Sequence, residues 1–176
     1  DVLQATSTVL ATEKAVSQSI SLKLAVSSAD SSETQTIELT PTSAVPPGTQ
    51  MSFNGGTPQT IVANKVLSFS GVFNEDSLQL HLPAYASGSL RFSATAISRD
   101  GASSKLVENI IVPVSVQAVA QASTMVVATT SPAIANENSA KFGVRLTATL
   151  ADTDGSEEFT SVRIRLTTTT PLNGNL

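Results

Sequence analysis

The sequence predicts an all-β protein: an antiparallel β-sandwich, with a second copy following in tandem. Three observations carry this reading. Apolar residues alternate with polar ones along short runs, turn formers divide the runs, and two stretches match at one constant offset. Period-two alternation turns one side of a strand toward a core and the other toward water, whereas 3.6-residue helical spacing does not recur in this chain.

The elements follow in order. Ile20, Leu22, Leu24 and Val26 make the first long alternating run. Ile37-Glu38-Leu39 and Leu78-Gln79-Leu80-His81-Leu82 repeat the pattern, and Leu90, Phe92, Ala94 and Ala96 extend it. Ile97 falls out of phase, so that strand is expected to end or bulge just before a turn. Ile110, Val112, Val114 and Val116 close the unit. Pro113 lies inside this last run and cannot donate to a ladder, which marks an edge strand or a bulge. Pro46-Pro47-Gly48, Asn54-Gly55-Gly56, Asn74-Glu75-Asp76, Ser87-Gly88-Ser89 and Arg99-Asp100-Gly101 supply the turns. Short strands divided in this way indicate a sandwich.

The two matching stretches set the domain plan. Glu13 matches Glu137, and Asp30-Ser31-Ser32-Glu33 matches Asp154-Gly155-Ser156-Glu157, both at 124 residues (137 − 13 and 154 − 30). Residues 1–118 are expected to form one complete repeat, 119–124 a linker, and 125–176 the N-terminal part of a second, incomplete repeat. The chain opens on Asp1-Val2-Leu3 with neither an initiator Met nor a signal segment, so it reads as a piece of something longer.

Composition removes several function classes. Net charge is −4 and Lys and Arg are not clustered, which argues against nucleic acid as a partner. No apolar run approaches the roughly 18 residues of a membrane helix, so no membrane insertion is expected. Cysteine is absent, leaving packing or metal ions to hold an exported domain together. His81 is the one histidine and lies near no nucleophile motif; it reads as a solvated surface residue, and no enzyme is expected. Arg163 and Arg165 alternate with Val162, Ile164 and Leu166 and read as the wet face of a strand. Tyr85 reads as a corner-packing residue, with sugar stacking as the rival role.

The strongest chemical signal is Asp152-Thr153-Asp154-Gly155-Ser156-Glu157, with Glu137 ahead of it. Calcium takes six to eight oxygen ligands, and acidic residues two apart in an extended segment turn their carboxylates the same way. Gly155 permits the backbone to fold back over the site. Glu137, Asp152, Asp154 and Glu157 are therefore the candidate metal ligands, and an ordinary exposed acidic turn is the alternative reading. The first copy keeps a reduced set: Glu13, Asp30 and Glu33 remain, but Ser28 stands where Asp152 does and Ser31 replaces Gly155. Asp100, in its Asp-Gly turn, is a further candidate, with a plain turn as its other reading.

Leu146-Thr147-Ala148-Thr149-Leu150-Ala151 running into the D-x-D-G-S-E turn resembles repeat units of very large bacterial adhesins exported by type I secretion, the RTX adhesins. Leu80-His81-Leu82-Pro83, the Gly88-led strand, Asp100-Gly101 and the valine run from Val112 to Val119 are similar to that pattern in order. The resemblance implies Ig-like or cadherin-like sandwiches strung end to end, secreted to the bacterial cell surface, with calcium as cofactor and neighbouring repeats as partners. It implies a structural extender that projects a distal binding domain in adhesion or biofilm formation. Asn138 and Lys14 replace the Asp of an early Glu-Asp pair, and Gln121 replaces a linker acid, so fewer ions than usual are expected. A glycan-binding module using the Tyr85–Ser89 loop, and an accessory domain of a secreted enzyme, are the rival functions.

Overall fold

The computed structural model of the chain describes residues 2–5, 8–27, 32–101, 103–128, 145–152 and 154–165. Among them the structure is all strand and loop, as the alternation requires. No helix of the described residues is long and apolar enough to cross a membrane. The chain divides into two units, Asp1–Gln121 with Asp152–Ser156, and Ala122–Ala151 with Glu157–Leu176.

Among the described residues the first unit holds eleven strands. They are β1 (Val2–Ala5), β2 (Val9–Thr12), β3 (Gln18–Ser21), β4 (Leu24–Ser27), β5 (Thr34–Pro41), β6 (Gln50–Phe53), β7 (Gln59–Thr60), β8 (Leu67–Gly71), β9 (Leu78–Leu82), β10 (Gly88–Asp100) and β11 (Ser103–Gln117). A five-stranded sheet runs β2-β11-β10-β5-β8, a four-stranded one runs β3-β9-β6-β7, and β1 pairs with β4. Every pairing is antiparallel except β2 on β11. The N-terminal segment thus serves both sides, with β1 on β4 and β2 on β11.

The run from Ile20 to Val26 keeps its phase but changes partner. Gln18–Ser21 pairs with β9, and Leu24–Ser27 pairs with β1. Between them Lys23 adopts a φ of 53°, which breaks the ladder while Leu22 and Leu24 both stay fully buried. Asn54 and Gly55 both take positive φ, and Gly56 N–H donates to the Phe53 carbonyl at 2.9 Å. That is the type I′ geometry an Asn-Gly pair favours in a hairpin, here joining β6 to the short β7.

The inner faces of the two larger sheets meet in one core. Ile37, Leu39, Leu90, Phe92, Val112 and Val114 face Leu78, Leu80, Leu82 and Met51, all at most 2% exposed. Phe53 stacks near Phe73 and Phe69, with ring centroids 4.7 and 5.9 Å away. In β10 the alternation continues through Ala96 to a buried Ser98, so Ile97 does not end the strand. The irregularity lies one step earlier and on the partner: Ala94 to Ala96 spans two residues where Ile110 to Val107 spans three. The extra residue therefore bulges from β11. Pairing of β11 with β2 begins at Val114, immediately after Pro113, whose missing N–H costs that ladder nothing.

His81 is not the freely solvated side chain its lone position suggested. It points out of the four-stranded sheet, half-buried, with Nδ1 2.6 Å from Ser19 Oγ and Nε2 2.7 Å from Ser52 Oγ. The imidazole therefore ties β3, β9 and β6 together. Each such bond contributes a net 0.5–1.5 kcal/mol, so His81→Ala is expected to cost about 1–2 kcal/mol in urea melts. A midpoint unchanged from wild type would show that the clamp carries no stability.

In the second unit, β12 (Thr124–Ala128) pairs antiparallel with β13 (Arg145–Thr149). Val127 is in register with Leu146, whereas its counterpart at the 124-residue offset, Leu3, is in register with Val26. The equivalent partner of Val127 would be Leu150, so the register differs by four residues. Residues 161–165 are not a strand, against the expectation for Val162 to Leu166, of which Leu166 lies outside the described residues. Val162 and Ile164 are 49% and 75% exposed, and among the described residues no strand pairs with this segment.

Candidate metal centre

Three carboxylates converge in the first unit: Glu13, Asp152 and Asp154. Glu13 follows β2, and its N–H donates to the Gln117 carbonyl at 2.9 Å, prolonging the β2–β11 ladder by one step. That bond fixes the side chain at the end of β11. The next residue is also held, because Tyr85 N–H donates to the Lys14 carbonyl at 2.8 Å. The loop between β9 and β10 is thereby fastened beside the same pole.

The segment Asp152–Ser156 folds around its own side chains. Asp152 Oδ1 accepts from Asp154 N–H at 2.8 Å, and Asp154 Oδ1 accepts from Ser156 N–H at 2.7 Å. These are successive Asx turns, in which a short acidic side chain closes a loop on the backbone two residues on. Gly155 completes them at a φ of 88°. Ser156 Oγ donates to Asp152 Oδ2 at 3.1 Å, and Ser87 Oγ donates to Asp154 Oδ2 at 2.7 Å.

The electrostatics divide the trio. Glu13 is 4% exposed, and burial pushes its carboxyl above the ordinary value of 4.5, with the nearby Asp152 and Asp154 charges pushing the same way. Val119 N–H, 3.4 Å from Oε2, and the Gln121 amide oppose this only in part. Oε1 is buried with no hydrogen-bond partner. Asp154 goes the other way: the Ser87 hydroxyl holds its carboxyl below the ordinary 3.8, against some desolvation. Lys14 is exposed and is not among the charges acting on Glu13.

A buried carboxylate facing two others is costly unless something positive joins it. A proton on Glu13 or a cation between the three would answer that. The ligand oxygens all lie within 4.8 Å of one another. Calcium binds oxygen at 2.3–2.6 Å, so two ligands across one ion stand at most about 4.6–5.2 Å apart. An all-oxygen donor set suits calcium or magnesium rather than zinc or copper. Carboxylate oxygens that already accept one bond keep lone pairs for a metal. The residues present therefore fit a hard divalent cation, held by Glu13, Asp152 and Asp154.

The other candidates fall elsewhere. Glu137 and Asp30 lie outside the described residues, and Glu157 belongs to the second unit. Glu33 accepts from Ser98 Oγ at 2.9 Å, and Asp100 pairs with Ser103 at the β10–β11 hairpin. That hairpin is at the opposite end of β11 from Glu13, fourteen residues away along the strand (117 − 103), or roughly 46 Å at about 3.3 Å each. Ser87 and Ser156, which orient the carboxylates, carried no sequence signal beyond their place in turns. No protein-family model, curated protein or solved structure matches the chain.

Proposed function

We propose that the chain is a structural extender module of a bacterial cell-surface or biofilm adhesin of the type I-secreted RTX kind. Its job is mechanical: Ig-like or cadherin-like sandwiches repeated in tandem carry a distal binding domain away from the cell, and calcium stiffens the array. The acid cluster carries this reading. Its ligands come from segments 139 residues apart (152 − 13), so one cation fastens the Asp152–Ser156 turn to the end of β11 within a cysteine-free sandwich. A cation held only where the two distant segments meet stabilises that arrangement by mass action and must be given up before the segments can part.

Resistance to force is the property to measure. Held under constant load in optical tweezers, the first unit is expected to survive about tenfold longer in calcium than in chelator, equivalent to about 1.4 kcal/mol on the unfolding barrier. Equal lifetimes in the two buffers would remove the cation from the mechanical role.

A further inference from the structure

We infer that the cation at Glu13, Asp152 and Asp154 also serves as an anchor for a neutral sugar, which binds through two adjacent hydroxyls in the groove beside it. This inference rests on the cluster holding a cation. Two independent observations point to a ligand there. Glu13, one of the three clustered carboxylates, keeps its Oε1 buried and unpartnered, and a groove of about 440 Å³ opens alongside with Asp154 in its wall. Ligand sites commonly run from about 300 to 1,000 Å³ and combine apolar walls with a few placed polar groups.

The groove has that make-up. Val45, Pro46 and the buried Leu90 give it an apolar side, while Ser87, Ser89 and Asp154 give it a polar one. Asp154 belongs to both places, since the Ser87 hydroxyl holds its Oδ2 at 2.7 Å while its ligand oxygen lies within the acid cluster. A cation held there is therefore reachable from the groove. One oxygen from each of three carboxylates fills three of calcium's six to eight positions and leaves the rest for a further ligand or water.

Charge selects the ligand. Three carboxylates and one divalent cation together carry −1, and the chain with the cation bound carries −2 (−4 + 2). An anionic ligand such as a phosphate or uronate is repelled, whereas hydroxyl oxygens coordinate calcium without added charge. A sugar ring also presents a C–H face to Val45 and Pro46. The groove lining has no aromatic residue, so binding relies on the cation rather than on ring stacking.

The test uses the whole chain in two steps. Calorimetric titration with calcium chloride first establishes the cation, and an array of neutral and acidic glycans is then probed with calcium or with chelator. Ser89→Phe serves as the groove variant, because Ser89 is exposed on β10 and touches none of the three carboxylates in the bonds described. At least one neutral glycan is expected to bind tenfold or more better in calcium. Ser89→Phe, melting as wild type and binding calcium as wild type, is expected to lose it. Calcium binding with no neutral glycan retained, or glycan binding indifferent to chelator or to Ser89→Phe, overturns the sugar site alone. No heat of calcium binding overturns both this inference and the cation on which it rests.

Discussion

Saturating calcium is expected to raise the melting temperature of the wild-type chain by roughly 10 °C, and Glu13→Gln is expected to abolish that rise. A ligand that binds only the folded state adds about 2.7 kcal/mol at a hundred times its dissociation constant, and each kcal/mol moves a domain of this size by roughly 3–6 °C. The same substitution has the opposite effect in chelator. Glu13 is buried beside two like charges, so its ionised form burdens the metal-free fold. Gln keeps an acceptor for Val119 N–H and turns an amide donor toward the two aspartates. Metal-free Glu13→Gln is therefore expected to melt higher than metal-free wild type, and a scan of both proteins in both buffers checks the crossover.

The pH dependence follows from the two opposite shifts. A raised carboxyl binds its proton more tightly in the folded state, so Glu13 stabilises the metal-free fold below about 4.5, and that contribution is lost as pH rises through its folded value. The lowered Asp154 contributes above its ordinary 3.8 and loses that contribution as pH falls through its still lower folded value. Calcium must displace the Glu13 proton, so its affinity is expected to fall as the solution is acidified through that upper window.

The largest effect on stability is expected from Phe92→Ala. Phe92 is fully buried, opposite Pro41 on β5 and Val112 on β11, and sits in the middle of the five-stranded sheet. Removing a buried aromatic ring costs about 3–5 kcal/mol, through lost transfer energy and the cavity left behind. Domains of this size hold about 5–15 kcal/mol in all, so the variant should unfold near room temperature in mild urea or be purified only poorly. Leu106→Ala on β11 is the control, since Leu106 is 68% exposed and its truncation should stay within about 0.5 kcal/mol. Equal midpoints for the two variants would contradict the placement of the core.

Alternation made the core legible because burial on one face is what alternation records. Leu78, Leu80 and Leu82 are buried on β9 as their spacing requires, and Leu90 to Ala96 do the same on β10. Partner choice was not legible. Nothing in the Ile20–Val26 run announces that Lys23 breaks it between two neighbours, because periodicity is the same whichever strand lies alongside. Val162 and Ile164 show the same limit from the other side, alternating without a ladder.

The candidate site was half legible. Asp152 and Asp154 stand out by spacing, and Glu13 by its match to Glu137. A repeat offset says which residues correspond, however, and not which of two corresponding glutamates a turn folds against. Glu13 was read with the reduced first-copy set and stands instead with the fuller turn. Its strongest credential, a buried oxygen with no donor, comes only from the fold.

Anomalous scattering from crystals grown in calcium and then soaked with terbium would locate the ion. A cation held by this cluster gives one strong peak within about 2.3–2.6 Å of carboxylate oxygens from Glu13, Asp152 and Asp154 together. A peak elsewhere, with these three carboxylates bonded only to protein and water, would contradict it.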